Sequence, residues 1–403
     1  MPVTPVIPVM RTLRASVLVL GALAFAAGAV ACGEEEPVNK PPIADGPGGN
    51  NPSHAQVAGK PDLVVKDAEQ ELKRTKVIGT LDSAHAPGTS LVWCSTLGLA
   101  WNELGPALGG DEDLTLGSPN ELAGKLNDSP VSKADLDDES YVALGGLGRD
   151  NILQKINAEL TRKFKGAASP SVLPSELDPD DVLAYAYLFK NLEFETPFLK
   201  RERPLEFGAA PGAGQPGAKV GAFGLWSDSR THDRDAIEKQ ISVISYASPE
   251  LWACELKSKA TDDRLIIARL APKETLAKTV EAMLEMKSPE PLAFEHADTL
   301  VVPYANFDIT RSYSELEGLE VSTPSQSARI KKALQNIRLK LDERGAVLKS
   351  DAAVIGVTSA LVTRDPKRMI CDGPFLVVMM RKDAKNPYFA MWVDNPEVLV
   401  AFK

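Results

Sequence analysis

The chain of 403 residues is poor in the side chains from which catalytic and metal centres are usually built, with only four histidines and four cysteines. So few cysteines exclude a disulfide scaffold. His54, His85, His232 and His296 have no second ligand at helical or hairpin spacing. H-E-x-x-H, C-x-x-C and calcium-loop patterns are missing as well, so no metal site is expected. There is no G-x-S-x-G elbow and no Walker-type loop. The glycines between Gly208 and Gly221 alternate with proline and alanine, and read as a surface loop instead of a phosphate cradle. A basic excess is also lacking. The net charge of −10 argues against nucleic acid or anionic head groups as partners. No catalytic residue and no cofactor is nominated, and the chain is expected not to be an enzyme.

What is present begins at the N-terminus. Arg11 and Arg14 precede an uncharged apolar run from Ala15 to Ala31, at the short end for a membrane span and ending in small residues like a secretory leader. Ala29-Val30-Ala31-Cys32 resembles the bacterial lipobox. An uncleaved short anchor and an ordinary leader are the alternatives, and Met10 is a plausible start. Residues 1–31 are therefore read as a lipoprotein signal peptide and Cys32 as the lipid anchor. Residues 32–60, rich in Pro, Gly, Asn and Glu, are read as a tether with little to bury. Gly33 is not the aspartate that retains some lipoproteins at the inner membrane. An outer-membrane lipoprotein facing the periplasm or the cell surface is the expected location.

Residues 61–403 have ordinary globular composition, with the whole chain 44% hydrophobic and 25% charged. With Cys32 lipidated, Cys94, Cys254 and Cys371 allow at most one disulfide. Their apolar neighbours (LVWCST, LWACEL, RMICDG) make buried free thiols the expectation. Lys66 to Thr75 is a charged helix candidate, and Ser90 to Leu108 reads as a strand running into a buried helix. Asp111 to Ser140 is acidic and loop-rich. Asn151 to Lys165 is an amphipathic helix with Ile152, Ile156, Leu160 and Phe164 on one stripe. Asp181 to Leu192 is a nearly continuous apolar run, as in a strand buried on both faces. Further strands are expected at Leu265 to Ala271, Thr299 to Ile309, Gln335 to Leu341, Phe375 to Arg381 and Tyr388 to Val393, and a helix at Glu274 to Met286. In Gln335 to Leu341, Ile337, Leu339 and Leu341 should face inward and Arg338 and Lys340 outward. Helices early and strands late, without βαβ alternation, give an α+β fold with large antiparallel or mixed sheets.

Several of these blocks, in order, resemble the serpins. Ile156 to Phe198 (INAELTRKFKG, then LDPDDVLAYAYLFKNLEFETPF) is similar to that family's helix across the main sheet and the central strand after it. IRLKLDERG (Ile337 to Gly345) resembles the strand that leads into the hinge. DGPFLVVMMRKDAKNPYFAMWVDNP (Asp372 to Pro396) resembles the paired C-terminal strands, and VVPYANFDI (Val301 to Ile309) and the segment from Ser90 fit in order. The region Gly109 to Asp150 is shorter than the family's. Tyr185 stands where the family has an asparagine and Gln335 where it has a histidine, two residues of a latch beneath the main sheet.

The resemblance implies helices packed on a large mixed main sheet, further C-terminal strands, and an exposed reactive loop between Gly345 and Pro374. A protease attacks this bait, and the cut loop inserts into the sheet as a new strand before the acyl-enzyme hydrolyses. The scissile bond then falls near Thr363-Arg364, and the hinge comprises Gly345 and Ser350, Asp351, Ala352 and Ala353. Ala346, Leu348, Ser350, Ala352, Val354, Gly356 and Thr358 form one small or apolar face, with Lys349 and Asp351 on the other. Leu348 and Lys349 are bulkier than is usual there. The implied partner is a serine or cysteine protease, with the membrane reached through the N-terminal lipid and the protein a monomer. The other reading is a non-inhibitory binding or structural lipoprotein on the same fold.

Overall fold

A computed structural model describes residues 64–67, 71–110, 113–164, 173–191, 193–208, 217–290, 292–345 and 365–403. Six helices occur among them: α1 (Thr96–Asn102), α2 (Leu104–Ala107), α3 (Glu121–Asn127), α4 (Ile152–Phe164), α5 (Arg234–Lys239) and α6 (Leu276–Leu284). The seven-stranded main sheet comprises β1 (Val64–Asp67), β4 (Thr115–Leu116), β5 (Tyr141–Leu147), β6 (Asp181–Asn191), β16 (Ala305–Ser312), β17 (Glu320–Ser322) and β18 (Ser327–Leu341). An eight-stranded sheet holds β2 (Thr75–Ile78), β3 (Ser90–Cys94), β11 (Ile241–Ser248), β12 (Leu251–Leu256), β13 (Asp263–Arg269), β14 (Leu292–Ala293), β20 (Phe375–Arg381) and β21 (Phe389–Val393). A four-stranded sheet takes β7 (Leu199–Lys200), β10 (Ala222–Leu225), β15 (Thr299–Pro303) and β19 (Arg368–Ile370). The hairpin β8 (Leu205–Phe207) and β9 (Ala218–Val220) stands apart. Mixed sheets with few helices make the α+β class that the sequence implied.

The local reasons are legible. In α4 the side chains four apart, Ile152, Ile156, Leu160 and Phe164, are all buried, and Arg162 and Lys163 sit in the last turn, where cations suit the helix dipole. The Thr275 hydroxyl caps α6 by accepting from Lys278 N. β6 is buried on both faces over Val182 to Leu188, which explains its unbroken apolar run. β20, between β13 and β21, is likewise buried through Met380.

Three expectations are corrected. The charged stretch from Lys66 to Thr75 is no helix among its described residues. Instead β1 and β2 occupy its ends, β1 pairing with β16 and β2 with β3. Those ten residues carry no helical apolar stripe to hold a helix against a core. β18 is longer than Gln335 to Leu341, because Ala328 and Ile330 are already buried while Arg329 and Lys331 stay outside. Arg338 does not face solvent: it is 7% exposed, with its guanidinium carbon 5.1 Å from the Phe189 ring centre. Lys340 is also partly covered and pairs with Asp342 at 2.7 Å. A strand inside a sheet covered on both sides has no free polar face. Cys94, Cys254 and Cys371 are buried free thiols, as expected.

Candidate functional site

At the centre of the main sheet β6 and β18 run in parallel, from Asp181 opposite Arg329 to Asn191 opposite Lys340, with one register shift between Ile330 and Lys332. Each has an antiparallel neighbour on its other side. β5 pairs with β6, from Tyr141 opposite Leu188 to Leu147 opposite Val182. β16 pairs with β18, from Ala305 opposite Leu341 to Ser312 opposite Leu334. Parallel ladders have slanted hydrogen bonds and are slightly less stable per residue than antiparallel ones. A strand running against both β6 and β18 would replace one parallel ladder by two antiparallel ladders. Such an exchange needs only backbone groups, with no acid, base or metal.

Two layers hold this seam shut. On the outer face Ile152, Ile156, Leu160 and Phe164 of α4 share one buried cluster with Val142 of β5, Leu183, Tyr185 and Tyr187 of β6 and Leu334 of β18. Phe164 and Tyr187 have ring centres 4.8 Å apart. α4 packs on β5 and, through Phe164 against Tyr187 and Phe189, on β6, and Leu334 of β18 belongs to the same buried cluster, so widening the seam would break that cluster up. On the inner face Gln335 is fully buried. Its Nε2 donates to the Cys94 carbonyl at 3.2 Å and to Thr96 Oγ1 at 3.0 Å, and its Oε1 accepts from the Tyr313 hydroxyl at 2.6 Å. Thr96 opens α1 and Cys94 closes β3, so the amide ties the seam to the layer beneath. Burial pushes the Cys94 thiol up to about 11, opposed by its contact with Thr96, and it also raises the Tyr313 hydroxyl.

Gln335 therefore forms a latch, but not with Tyr185. Leu334 is opposite Tyr185 and Gln335 opposite Ala186, so the two polar residues lie on neighbouring rows and face opposite sides of the sheet. Tyr185 packs beneath α4 instead. The latch partners that sequence reasoning missed are Tyr313 and Thr96. They lie 22 and 239 positions from Gln335, and nothing local marks them.

β18 leads out through Asp342, Glu343 and Arg344 to Gly345, whose N–H donates to the Asp342 carbonyl at 3.1 Å. Its φ of +68° is one that glycine adopts without strain. The carbonyls of Arg344 and Glu343 accept from Phe194 N and Phe198 N at 3.2 and 2.7 Å. Phe194 and Phe198 meet edge to face at 4.7 Å. Gly345 thus lies four residues beyond the end of the seam strand. Ser350, Asp351, Ala352, Ala353, Thr363 and Arg364 lie outside the described residues, as does Cys32.

Where the chain returns, β19 runs parallel to β15, from Arg368 opposite Thr299. Just before it, the Lys367 ammonium meets the Asp298 carboxylate at 2.5 Å, both side chains at most 3% exposed. Asp298 also accepts from Lys367 N at 2.7 Å and from Glu295 N at 2.8 Å. This clamp fixes the chain just before β19, and sequence reasoning missed it too. Among the described residues no three His, Cys, Asp or Glu side chains gather as metal ligands.

No family model matches the chain, and no curated protein matches it. Solved structures similar to it include Serpin48 of the insect Tenebrio molitor, at 15% identity and a TM-score of 0.39, over 61% of this chain and 65% of that one. Native protease nexin-1 with heparin is similar at 14% identity and a TM-score of 0.43, over 77% and 93% of the two chains. Thyroxine-binding globulin in complex with thyroxine is similar at 12% identity and a TM-score of 0.44, over 77% and 94%. The chain's own elements follow the implied order: a helix across the main sheet, a central strand, a pre-hinge strand beside it, and paired C-terminal strands. On that order and pairing, the fold is serpin-like.

Proposed function

We propose that the chain is a cell-envelope lipoprotein whose serpin-like domain traps a serine or cysteine protease covalently through residues 346–364. The observation that carries this reading is the parallel seam between β6 and β18, whose pre-hinge strand leads into that segment. In the proposed reaction the protease's nucleophile attacks the carbonyl of Thr363 or Arg364. An ester or thioester forms, the peptide bond breaks, and the following residue leaves as the free amine with a proton from the protease's own acid. The freed N-terminal part then enters the seam antiparallel to β6 and β18, carrying the acylated protease with it. Ala352 and Val354, on the small face of the loop, suit burial in the sheet. Cleavage after Arg364 fits a trypsin-like protease, and cleavage after Thr363 one that prefers a small residue.

Incubating the domain with a trypsin-like protease should give a complex that survives denaturation. Quantitative cleavage with no such complex would refute trapping. A second reading, a binding lipoprotein with an inert loop, is favoured by the latch at Gln335 and by Tyr185 packed under α4, both of which oppose opening. That reading requires normal cleavage with no complex and no gain in stability.

A further inference from the structure

Side chains two apart along a strand share a face, so Asn336, two residues beyond Leu334, points to the side of the sheet on which α4 lies. Tyr187 of β6 stands directly opposite it across the seam and belongs to the α4 cluster. Both are shut away from water, with Tyr187 2% and Asn336 8% exposed. Yet the Tyr187 hydroxyl and the Asn336 Oδ1 are buried with no hydrogen-bond partner among the described residues. The two are complementary, since a hydroxyl can donate and an amide oxygen accepts. Each is held back by neighbours on its own side. The Phe164 ring, tilted at 58° and 4.8 Å away, keeps the tyrosine under α4. The Asn336 Nδ2 donates to Asp308 Oδ1 and Thr310 Oγ1, both at 2.7 Å, on β16, which lies on the other side of β18 from β6. Turning the amide over would set its oxygen against the Asp308 carboxylate, so the acceptor end stays the unpaired one. Burial and then Asp308 raise the Tyr187 hydroxyl, with Arg338 opposing, so the hydroxyl keeps its proton.

We propose that the Tyr187–Asn336 row is the weak point of the closed seam: two polar groups that the closed sheet leaves unpaired are satisfied once β6 and β18 part and water or another backbone reaches them. A buried polar group without a partner bears its full desolvation penalty, which exposure removes. That penalty falls on the closed state alone, so it lowers the free energy of opening at this row. The latch pulls the other way. One residue back and on the opposite face, Gln335 bonds Tyr313, Cys94 and Thr96, and those bonds break when β18 moves away from the layer beneath. Opening therefore exchanges the bonds of Gln335 for the solvation of Tyr187 and Asn336. The device belongs to the sheet itself and requires neither a protease nor the segment after Gly345.

Tyr187→Phe is the direct test, because it deletes the unpaired hydroxyl and keeps the ring against Phe164. In the full chain it should raise the urea midpoint and slow amide exchange by about tenfold or more over residues 182–188 of β6 and 334–337 of β18. Exchange in β13 and β20, which lie in another sheet, should change far less. Tyr313→Phe makes the same chemical change to a hydroxyl that has a partner, and should act in the opposite sense, lowering the midpoint and quickening exchange in β18. A lower midpoint and faster exchange for Tyr187→Phe would overturn the proposal, because the hydroxyl would then be satisfied in the closed seam through a bridging water. No change, or equal slowing in β13 and β20, would also sink it. None of these outcomes depends on whether a protease is trapped, which the denaturation-resistant complex reports separately.

Discussion

Gln335→Leu should be costly out of proportion to its change in size. The replacement keeps most of the volume but strands the Tyr313 hydroxyl, which is fully buried, and withdraws the amide donor from the Cys94 carbonyl. Thr96 Oγ1 keeps its contact with the Cys94 thiol at 3.2 Å. Two buried polar groups losing these partners, at about 1–3 kcal/mol each, give an expected loss of roughly 2–6 kcal/mol. Tyr313→Phe strands only one acceptor on the amide, and should cost about 1–2 kcal/mol. In the double variant the Tyr313 hydroxyl is no longer left buried without an acceptor. Gln335 Oε1 is absent from it too, so its loss should fall short of the sum of the single losses by about 2–5 kcal/mol. Urea midpoints for the four proteins, with unchanged slopes, measure the cycle. Hydrogen exchange should quicken in β18 before it does in β20, because the latch holds the seam and not the C-terminal strands. Single losses that add to within about 0.5 kcal/mol would refute the coupling on which the latch rests.

Cleavage within Ser359 to Arg364 should raise the unfolding temperature markedly, since the entering strand turns one parallel ladder into two antiparallel ones. Ala352→Arg should leave cleavage intact and abolish the rise, because it forces a charge into the closing sheet. A calorimetric scan before and after nicking decides it, and an unchanged temperature for wild type would favour the inert-loop reading. Asp298→Ala leaves Lys367 buried and unpaired and should destabilise by about 3–5 kcal/mol, whereas Asp298→Leu combined with Lys367→Met should recover much of that loss. A double variant as unstable as Asp298→Ala, judged by denaturant midpoints, would show that the clamp acts through something other than its charges. His85, whose Nε2 lies 2.9 Å from Thr279 Oγ1 and whose ring meets Trp392 edge-on, has its pKa lowered from 6.5 by burial, with Asp394 opposing. The folded state therefore prefers the neutral ring. Its contribution is full above pH 6.5 and is lost as pH falls below that value toward the folded pKa. His85→Phe should flatten this part of the stability–pH curve, and an unchanged slope would count against the assignment.

The sequence by itself determined the elements whose cause is local. The stripe from Ile152 to Phe164 made a helix, the apolar run through Val182 to Leu188 made a strand buried on both faces, and the cysteines' apolar neighbours foretold buried thiols. It also carried the order of blocks that implied this fold. Only the tertiary structure decided which strands meet and which faces they share. Alternation could not show that Arg338 is covered, because α4 and the sheet around it come from distant segments. Register separated Tyr185 from Gln335: one row along a parallel ladder sends neighbouring side chains to opposite faces. The partners of the two buried polar clusters, Thr96 and Tyr313 for Gln335 and Asp298 for Lys367, are far from them in sequence. A buried polar group must find a partner wherever folding brings one, and no spacing rule in the chain records where that will be.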